Sequence, residues 1–327
     1  MNKQRTTINL SISIIIPVYN RPQEIDELLE SLTKQTFIED FEVIVVEDGS
    51  KNTSKEVVEK YQSQLNIHYF FKENSGAGAS RNFGMQKASG NYFIILDSDV
   101  IVPKDYLEIV KNQLKEKYTD AYGGPDAAHE SFTPLQKAIN YSMTSFLTTG
   151  GIRGKKKGVG KFQLRSFNLG ISKKAFDITK GFSSMKTGED IDLTFKLWEN
   201  GFETQLISEA FVYHKRRTSI KQFFKQTFAF GTARPILNKK YPKSKRITFW
   251  FPSLFVLGFM LSLMLLFINI PFFIYLFLFY TFLLFLNSLL ITRQIEVAFL
   301  SIITSFTQFF GYGFGFLQSM LKIKIFS

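Results

Sequence analysis

Two carboxylates spaced two residues apart are the first feature of this sequence that could do chemistry. Asp97-Ser98-Asp99 follows an apolar run, and both carboxylates point the same way if that run is a strand that continues. Carboxylate oxygens suit Mg²⁺ or Mn²⁺, and such an ion can bridge the phosphates of a nucleotide. The pattern is weak alone because Asp-x-Asp is common in turns. Its place after an apolar run favours a metal site.

Further polar groups could take part in chemistry, and each also has a structural explanation. Asp48 precedes Gly49, which by itself is typical of a turn. Arg81 ends a small-residue segment whose backbone N–H groups could meet phosphate, although a lone Gly-rich turn is weak evidence. Glu189 and Asp190 begin a predicted helix, where acids favour the helix dipole or supply a general base. An isolated histidine such as His214 is more often a surface residue than a ligand.

The elements that must position these residues alternate along the first 116 residues. Short apolar runs predict strands, and segments with helical spacing follow them. The predicted strands are residues 11–16, 41–46, 67–71 and 92–96, and the predicted helices are residues 22–34, 52–62, 76–88 and 103–116. This alternation predicts a doubly wound α/β sheet, in which ligands bind beyond the carboxyl ends of the strands. The polar groups follow those ends, so we expect them at one edge.

The middle of the chain is less regular. Residues 127–165 contain several glycines around Lys155-Lys156-Lys157 and predict a mobile basic loop. Beyond it, residues 165–171 are expected to be extended, residues 186–200 helical and residues 204–212 extended again.

The net charge of +12 comes almost entirely from residues 215–246, which hold eleven Lys or Arg and no Asp or Glu. Such a block is typical of a nucleic-acid patch or of a cytoplasmic segment beside a membrane. The second interpretation is preferred because no nucleic-acid motif accompanies the block. The absence of cysteine excludes disulfides and thiolate sites. Residues 1–9 lack the apolar stretch of a signal peptide, so we expect the first domain in the cytoplasm.

The C-terminal part predicts membrane helices. Residues 249–268 and 271–291 are almost purely apolar and long enough to span a bilayer, and they should form a tight hairpin. Residues 297–321 are a weaker third candidate, which either spans fully, as we prefer, or re-enters. Its glycines Gly311, Gly313 and Gly315 would allow close packing against the hairpin. Before the hairpin, residues 219–236 predict a basic amphipathic helix, either in the membrane interface or packed on the catalytic core.

Taken in order, these groups resemble family 2 glycosyltransferases with the GT-A fold, over roughly residues 11 to 230. The motifs that carry the resemblance are Ile14 to Arg21, Val45 to Ser50, Asn74 to Asn82, Asp97-Ser98-Asp99, Gly188-Glu189-Asp190 and His214. The resemblance implies a Rossmann-like, doubly wound mixed sheet. It also implies an inverting, metal-dependent transfer of a sugar from a nucleotide-sugar donor, by default a UDP-sugar.

The resemblance also implies a role for individual residues. Pro17, Tyr19 and Glu24 would lie around the nucleotide base, and Asp48 would contact its edge. Arg81 would lie near the base and phosphates. Asp99 would be the more direct ligand of Mn²⁺ or Mg²⁺, Asp97 would lie nearer the ribose, and His214 would be a further metal or diphosphate contact. Asp190 would be the catalytic base with Glu189 beside it. Asn168, Gly170 and Trp198 would line the acceptor side, although Trp198 alone is more typical of a core residue.

One departure from the family pattern bears on the product. Processive members usually carry a Gln-x-x-Arg-Trp box on an interface helix, and residues 222–226 here read Gln-Phe-Phe-Lys-Gln. We therefore expect transfer of single sugars to a membrane-associated glycan or polyprenyl-linked lipid, in cell-envelope polysaccharide or glycolipid assembly. The alternatives are a processive synthase, an inactive GT-A scaffold, and nucleotidyl transfer on a similar sheet.

The expected organisation is a GT-A domain over residues 1–217, a basic interface helix and linker over residues 218–246, and a membrane region over residues 247–327. The expected location is the inner membrane, as a multi-pass protein whose catalytic domain faces the cytoplasm. The expected partners are a nucleotide-sugar, the acceptor and membrane lipid, without nucleic acid.

Overall fold

The computed structural model describes residues 9–150 and 162–325. The strands there are β1 (Ile12–Val18), β2 (Phe41–Asp48), β3 (Asn66–Lys72), β4 (Tyr92–Leu96), β5 (Val100–Ile101), β6 (Ala121–Gly123), β7 (Asp126–Ala127), β8 (Asn168–Ser172), β9 (Thr204–Leu206) and β10 (Val212–His214). The helices are α1 (Pro22–Thr33), α2 (Lys55–Glu59), α3 (Ala77–Lys87), α4 (Tyr106–Glu116), α5 (Pro134–Thr144), α6 (Phe146–Thr149), α7 (Lys173–Thr179), α8 (Glu189–Glu199), α9 (Ile220–Lys240), α10 (Phe251–Phe267), α11 (Phe272–Thr292) and α12 (Ile295–Ile325). Short 3₁₀ turns at Pro242–Ser244 and Ile247–Trp250 precede α10.

The chain divides into two compact units. The first is built from Met1–Ala127 and Lys156–His214, and the second from Ala128–Lys155 and Lys215–Ser327. The domain limits expected from the sequence stay a prediction, and the described residues 128–150 belong to the second unit by their contacts.

The first unit contains a mixed seven-stranded sheet in the order β3-β2-β1-β4-β8-β6-β9. β1 runs parallel to β2 and β4, whereas β8 is antiparallel to β4 and β6. A smaller sheet has the order β5-β10-β7. The predicted α/β class with a mixed, doubly wound sheet is therefore confirmed.

The central strands are buried on both faces because their side chains alternate between two cores. Ile14 and Ile16 of β1 belong to one cluster, which also contains residues of α1 and α4. Ile15 belongs to the other cluster, which contains residues of α3, α7 and α8. Alternation is the consequence of the two-residue period of a strand. Continuous apolar runs are what a sheet covered by helices on both faces requires.

Two predicted elements of this unit are shorter than expected. The helix predicted over residues 52–62 is confined to α2. Of the residues of α2, only Val58 is fully buried. The extended segment predicted over residues 204–212 forms β9 and β10, which join different sheets. Local propensity is a weak guide to where a helix or strand ends, because tertiary contacts override it.

The second unit shows that the loop predicted over residues 127–165 was partly wrong. Its basic glycine-rich part, residues 151–161, lies outside the described residues, but Pro134–Thr144 forms α5. Thr133 and Gln136 make a reciprocal capping box, and Pro134 occupies the first turn. A capping box satisfies backbone N–H groups that a helix start leaves without partners. Thr133 and Gln136, three residues apart around Pro134, are the sequence signal of this helix start.

Among the described residues, three helices of the second unit are long and apolar enough to cross a membrane, over Ile247–Phe267, Phe272–Thr292 and Ile295–Ile323. The glycines of α12 face two different neighbours. A Cβ on Gly313 would lie 2.7 Å from Pro252 O of α10, as expected for packing on the hairpin. Gly311 and Gly315 instead face α9, at Thr227 and Phe228. The expectation that these two glycines pack on the hairpin was wrong, because α9 approaches α12 backbone to backbone.

Candidate active site

The polar residues predicted to meet at one edge of the sheet do follow the carboxyl ends of neighbouring parallel strands. Val18 of β1 pairs in register with Glu47 of β2, and β4 flanks β1 on its other side. Asn20, in a left-handed conformation (φ 54°), links the loops after the first two strands. Its side-chain Oδ1 accepts hydrogen bonds from the backbone N–H groups of Lys51 (2.9 Å) and Asn52 (3.1 Å). The loops that carry the candidate residues are therefore fixed against each other.

Asp48, at the end of β2, is buried and held by three donors. Lys72 Nζ donates to Oδ1 at 2.5 Å, and the backbone N–H groups of Ser75 and Gly76 donate at 2.9 Å each. Burial alone raises the pKa of this carboxyl, but the Lys72 ammonium and the backbone donors outweigh burial and lower it. Asp48 is therefore an anion held by the loop that directly precedes α3.

Asp97, Asp99 and His214 form a cluster in which one ligand atom from each residue lies within 4.8 Å of the others. Asp97 and Asp99 belong to the turn between β4 and β5. His214 ends β10, and its register partner is Val100 of β5. The ring of His214 stacks on Phe167, with the ring centroids 4.7 Å apart. The antiparallel pairing of two very short strands thus brings a distant histidine to the acidic turn.

The chemistry of this donor set fits a hard divalent cation. His214 Nε2 lies 3.2 Å from Asp99 Oδ1, yet Asp99 Oδ1 and His214 Nδ1 are buried without a hydrogen-bond partner among the described residues. Burial raises the pKa of Asp99, but His214 and then Arg21 outweigh it and hold that pKa well below its usual range. Two carboxylates and an imidazole within reach of one point are ligands that Mn²⁺ accepts.

Arg21 is a candidate that the sequence analysis missed. It lies at the N-cap position of α1, and its Nη1 forms an ion pair with Asp99 Oδ2. In the sequence it ends the Ile14 to Arg21 motif, directly after the polar end of β1, but no role was expected of it. Because it contacts the acid expected to be the more direct metal ligand, Arg21 belongs to the site.

Arg81 joins the acidic turn to the start of α8. Its side chain is 4% exposed, with Nη2 2.7 Å from Asp97 Oδ1 and Nη1 3.0 Å from Glu189 Oε1. Burial lowers the pKa of Arg81, but the two carboxylates outweigh burial and raise it. The guanidinium also lies 5.1 Å from the centre of the Phe182 ring. The implied phosphate contact stays a prediction, and in this structure the charge of Arg81 is engaged by protein carboxylates.

Glu189 and Asp190 form the first turn of α8, after Gly188 in a left-handed conformation (φ 83°). Burial raises the pKa of Glu189, Arg81 lowers it, and the neighbouring Asp190 raises it again, with a net increase. Asp190 Oδ1 accepts a hydrogen bond from the Ile191 N–H at 2.8 Å. Asp190 is partly exposed. The bond from Arg81 to Glu189 therefore brings the predicted base near the acidic turn.

The residues implied to lie around the nucleotide base are found at the end of β1, in the loop after it and in the first turn of α1. Pro17 is buried in β1, Tyr19 is 52% exposed, and Glu24 lies in the first turn of α1. An exposed aromatic side chain is compatible with stacking on a base. The roles of these residues stay predictions.

The residues implied to line the acceptor side are engaged inside the protein. Asn168 is fully buried, accepts from Tyr106 OH at 2.6 Å and donates to Ala210 O at 2.8 Å. Its side chain is thus engaged inside the protein, and its role on the acceptor side stays a prediction. A Cβ on Gly170 would lie 2.0 Å from the Tyr122 ring, so that glycine serves packing. Trp198 Nε1 donates to Thr204 Oγ1 at 2.9 Å, which agrees with a core role.

Comparison with known proteins identifies related sequences. The model of "Glycosyl transferase family 2" matches residues 13–177, which is half of the chain. The chain is 36% identical to glycosyltransferase GlyG of Streptococcus pneumoniae over 115 residues, covering 35% of this chain and 38% of GlyG. It is 36% identical to poly(ribitol-phosphate) beta-N-acetylglucosaminyltransferase TarS of Staphylococcus aureus over 114 residues, covering 34% of this chain and 20% of TarS. The chain thus spans well under half the length of these relatives.

Two solved structures share the fold. The mannosyltransferase PcManGT from Pyrobaculum calidifontis, in complex with GDP-Man and Mn²⁺, superposes with a TM-score of 0.55 at 17% identity, covering 70% of this chain and 65% of PcManGT. Residues 1–349 of S. aureus TarS in complex with UDP give a TM-score of 0.50 at 24% identity, covering 68% of this chain and 64% of that structure. At these identities the likeness concerns the fold alone. Together with the family match over residues 13–177, the mixed sheet and its acidic edge establish that the chain belongs to glycosyltransferase family 2.

Proposed function

We propose that this protein transfers a sugar from a nucleotide-sugar to a hydroxyl group of a membrane-associated glycan or lipid-linked acceptor, with inversion at the anomeric carbon. The observation that carries the proposal is the chain of contacts at the sheet edge. Asp97 and Glu189 bind the same guanidinium, of Arg81, so the candidate metal ligands lie beside the candidate base. A donor diphosphate and an acceptor hydroxyl must meet in one place, and this edge offers chemistry for both.

The donor side rests on the acidic turn and on Asp48. Asp97, Asp99 and His214 would hold Mn²⁺ or Mg²⁺, which when bound neutralises charge on the departing diphosphate. Asp48 would accept a hydrogen bond from the edge of the base, with Pro17, Tyr19 and Glu24 around it. The TarS and PcManGT structures carry UDP-GlcNAc and GDP-Man respectively, which supports a nucleotide-sugar as the donor class. UDP is the default nucleotide of the proposal.

The acceptor side rests on Asp190. Its carboxylate takes the proton of the acceptor hydroxyl while the hydroxyl oxygen forms a bond to the anomeric carbon. The bond from that carbon to the diphosphate oxygen breaks on the opposite face, and the diphosphate leaves with the electron pair. A single displacement of this kind inverts the centre. Glu189 holds Arg81 and so fixes the start of α8 next to Asp97.

The membrane helices support a membrane-associated acceptor. Three apolar helices on the same chain would tether the catalytic unit to a lipid bilayer, where polyprenyl-linked or glycolipid acceptors reside. The basic segment before them favours a cytoplasmic position for the preceding unit. The missing Gln-x-x-Arg-Trp box favours addition of single sugars, and the length of the product distinguishes this from a processive synthase.

The test is a panel of nucleotide-sugars offered to membranes that contain the full chain, with released nucleoside diphosphate and labelled lipid measured together. One donor should give both signals in the presence of Mn²⁺. The Asp190→Asn variant should keep donor binding but lose transfer by about 10²–10⁴-fold, the usual contribution of a positioned base. Asp177→Asn, an exposed acid in α7, is the matched control and should retain wild-type turnover. Wild-type turnover by Asp190→Asn would show that the base is another residue.

A further inference from the structure

Arg21 is held beside the acidic turn by the loop that precedes it. It follows Asn20, whose backbone N–H donates to Ser50 Oγ at 2.7 Å and whose side chain caps the next two N–H groups of the same loop. This fixed loop delivers Arg21 to the N-cap of α1, from which its guanidinium reaches Asp99 Oδ2. The ion pair is thus built by the fold at the end of β1, and it does not depend on an exposed chance contact.

The two carboxylate oxygens of Asp99 face different partners. Oδ2 is paired with Arg21, and Oδ1 faces His214 Nε2 at 3.2 Å. The same carboxylate belongs to the cluster with Asp97 and His214 that fits a divalent cation. A guanidinium and a dication that share one carboxylate stand only a few ångströms apart, and at this distance like charges repel strongly in a partly buried site. The two cations therefore compete for Asp99.

We propose that Arg21 is a placeholder cation, which neutralises Asp99 in the metal-free protein and leaves it when the divalent cation and the nucleotide diphosphate bind. This inference rests on the function proposed above. The Arg21 side chain is 33% exposed whereas that of Asp99 is 10% exposed, so the arginine can move towards solvent while the carboxylate stays. Diphosphate oxygens are preferred bidentate partners of a guanidinium, and they give the released side chain a new partner.

If Arg21 moves in this way, binding of the metal raises the affinity for the nucleotide, and binding of the nucleotide raises the affinity for the metal. The metal displaces the guanidinium from Asp99, and the diphosphate of the nucleotide accepts it. Each ligand therefore lowers the cost of binding the other, and such a coupling must be reciprocal. Without Arg21, the metal meets no competitor and the nucleotide loses a partner, so the coupling should shrink.

The experiment measures Mn²⁺ binding to the full chain in detergent, from the electron paramagnetic resonance signal of free Mn²⁺, with and without UDP. Arg21→Gln should bind Mn²⁺ alone about three- to fivefold more tightly than wild type, the upper part of the range expected for a partly exposed ion pair. The ratio of the Mn²⁺ dissociation constants without and with UDP should be smaller in Arg21→Gln than in wild type. Arg21→Lys, which keeps the charge but not the bidentate guanidinium, should bind Mn²⁺ alone about as tightly as wild type.

Lys51→Gln is the matched control, because it removes the same charge from the neighbouring loop, and the ion pair of Asp99 is with Arg21. It should leave the Mn²⁺ dissociation constant within about twofold of wild type. Weaker or unchanged Mn²⁺ binding in Arg21→Gln, or an equal gain in Lys51→Gln, would overturn the placeholder. If wild type and Asp99→Asn fail alike to bind Mn²⁺ even with UDP, the metal site of the proposed function fails, and the placeholder falls with it.

Discussion

At the scale of single residues, Arg81 is a buried cation in the candidate site that depends on neighbouring carboxylates. A guanidinium that is 4% exposed must have its charge compensated, and Asp97 and Glu189 provide that compensation. Breaking a buried ion pair from one side leaves carboxylates without a partner, which is much more costly than never having built the pair. Arg81 thus fixes two acidic segments that are far apart in the sequence.

We expect Arg81→Gln to lower the free energy of unfolding of the first unit by about 3–5 kcal/mol, the usual cost of an uncompensated buried charge. It should also weaken Mn²⁺ binding, because Arg81, unlike the partly exposed Arg21, is too buried to withdraw and instead orients Asp97 within the cluster. Thermal unfolding in detergent and a Mn²⁺ titration measure the two effects. Lys87→Gln, an exposed cation at the end of the same helix, is the control and should change neither quantity appreciably. Arg81→Gln with wild-type unfolding would mean that the two carboxylates need no shared cation.

At the scale of elements, the pairing of α9 with α12 depends on glycines. A Cβ on Gly315 would lie 2.2 Å from Phe228 O, and one on Gly231 would lie 2.2 Å from Tyr312 O. These neighbours are backbone atoms, so no side chain can rotate away to make room. Small residues are the means by which helices in apolar surroundings bring their backbones together.

We expect the substitution of glycine by alanine to have opposite effects on stability at two positions. Gly315→Ala should destabilise the second unit by about 1–3 kcal/mol, because the methyl group forces the two helices apart. Gly258→Ala in α10 meets only Phe277, at 3.8 Å, and should be neutral or stabilising by up to about 1 kcal/mol, since alanine favours helix more than glycine. Thermal unfolding of both variants in the same detergent is the measurement. A similar shift in both variants would argue against a specific contact at Gly315.

At the scale of the whole molecule, the described residues contain three apolar helices after the first unit, which carries the candidate active site and is here called the catalytic unit. An odd number of spans puts the segments before and after them on opposite sides of the bilayer. The basic segment over residues 215–246 should keep the catalytic unit in the cytoplasm. Residues after α12 would then lie on the outer side.

This topology can be measured cleanly because the chain has no cysteine of its own. We expect Ser327→Cys to react with a membrane-impermeant maleimide in intact cells. Ser63→Cys, exposed in the catalytic unit, should react only after the membrane is permeabilised. If both positions react only after permeabilisation, the third helix does not cross the membrane completely.

The sequence by itself determined the fold of the first unit and the composition of its functional edge. The apolar runs of β1, β2 and β4 are continuous because both of their faces are buried, so they could be recognised without knowing their partners. The parallel order then forces the polar residues after them, including Asp48 and Asp97, to the same edge. The apolar helices of the second unit were equally legible, because a membrane span is a local property of about twenty residues.

Only the tertiary structure decided which charged groups meet. His214 reaches Asp99 through the pairing of β5 with β10, two strands that are too short to be recognised from the sequence. Arg21 and Arg81 find carboxylates that lie 78 and 108 residues away. Asn168 is drawn into the core by Tyr106 and Ala210. Hydrophobic periodicity is a property of neighbouring residues, whereas the choice among several carboxylates depends on distances that exist only after the chain has folded.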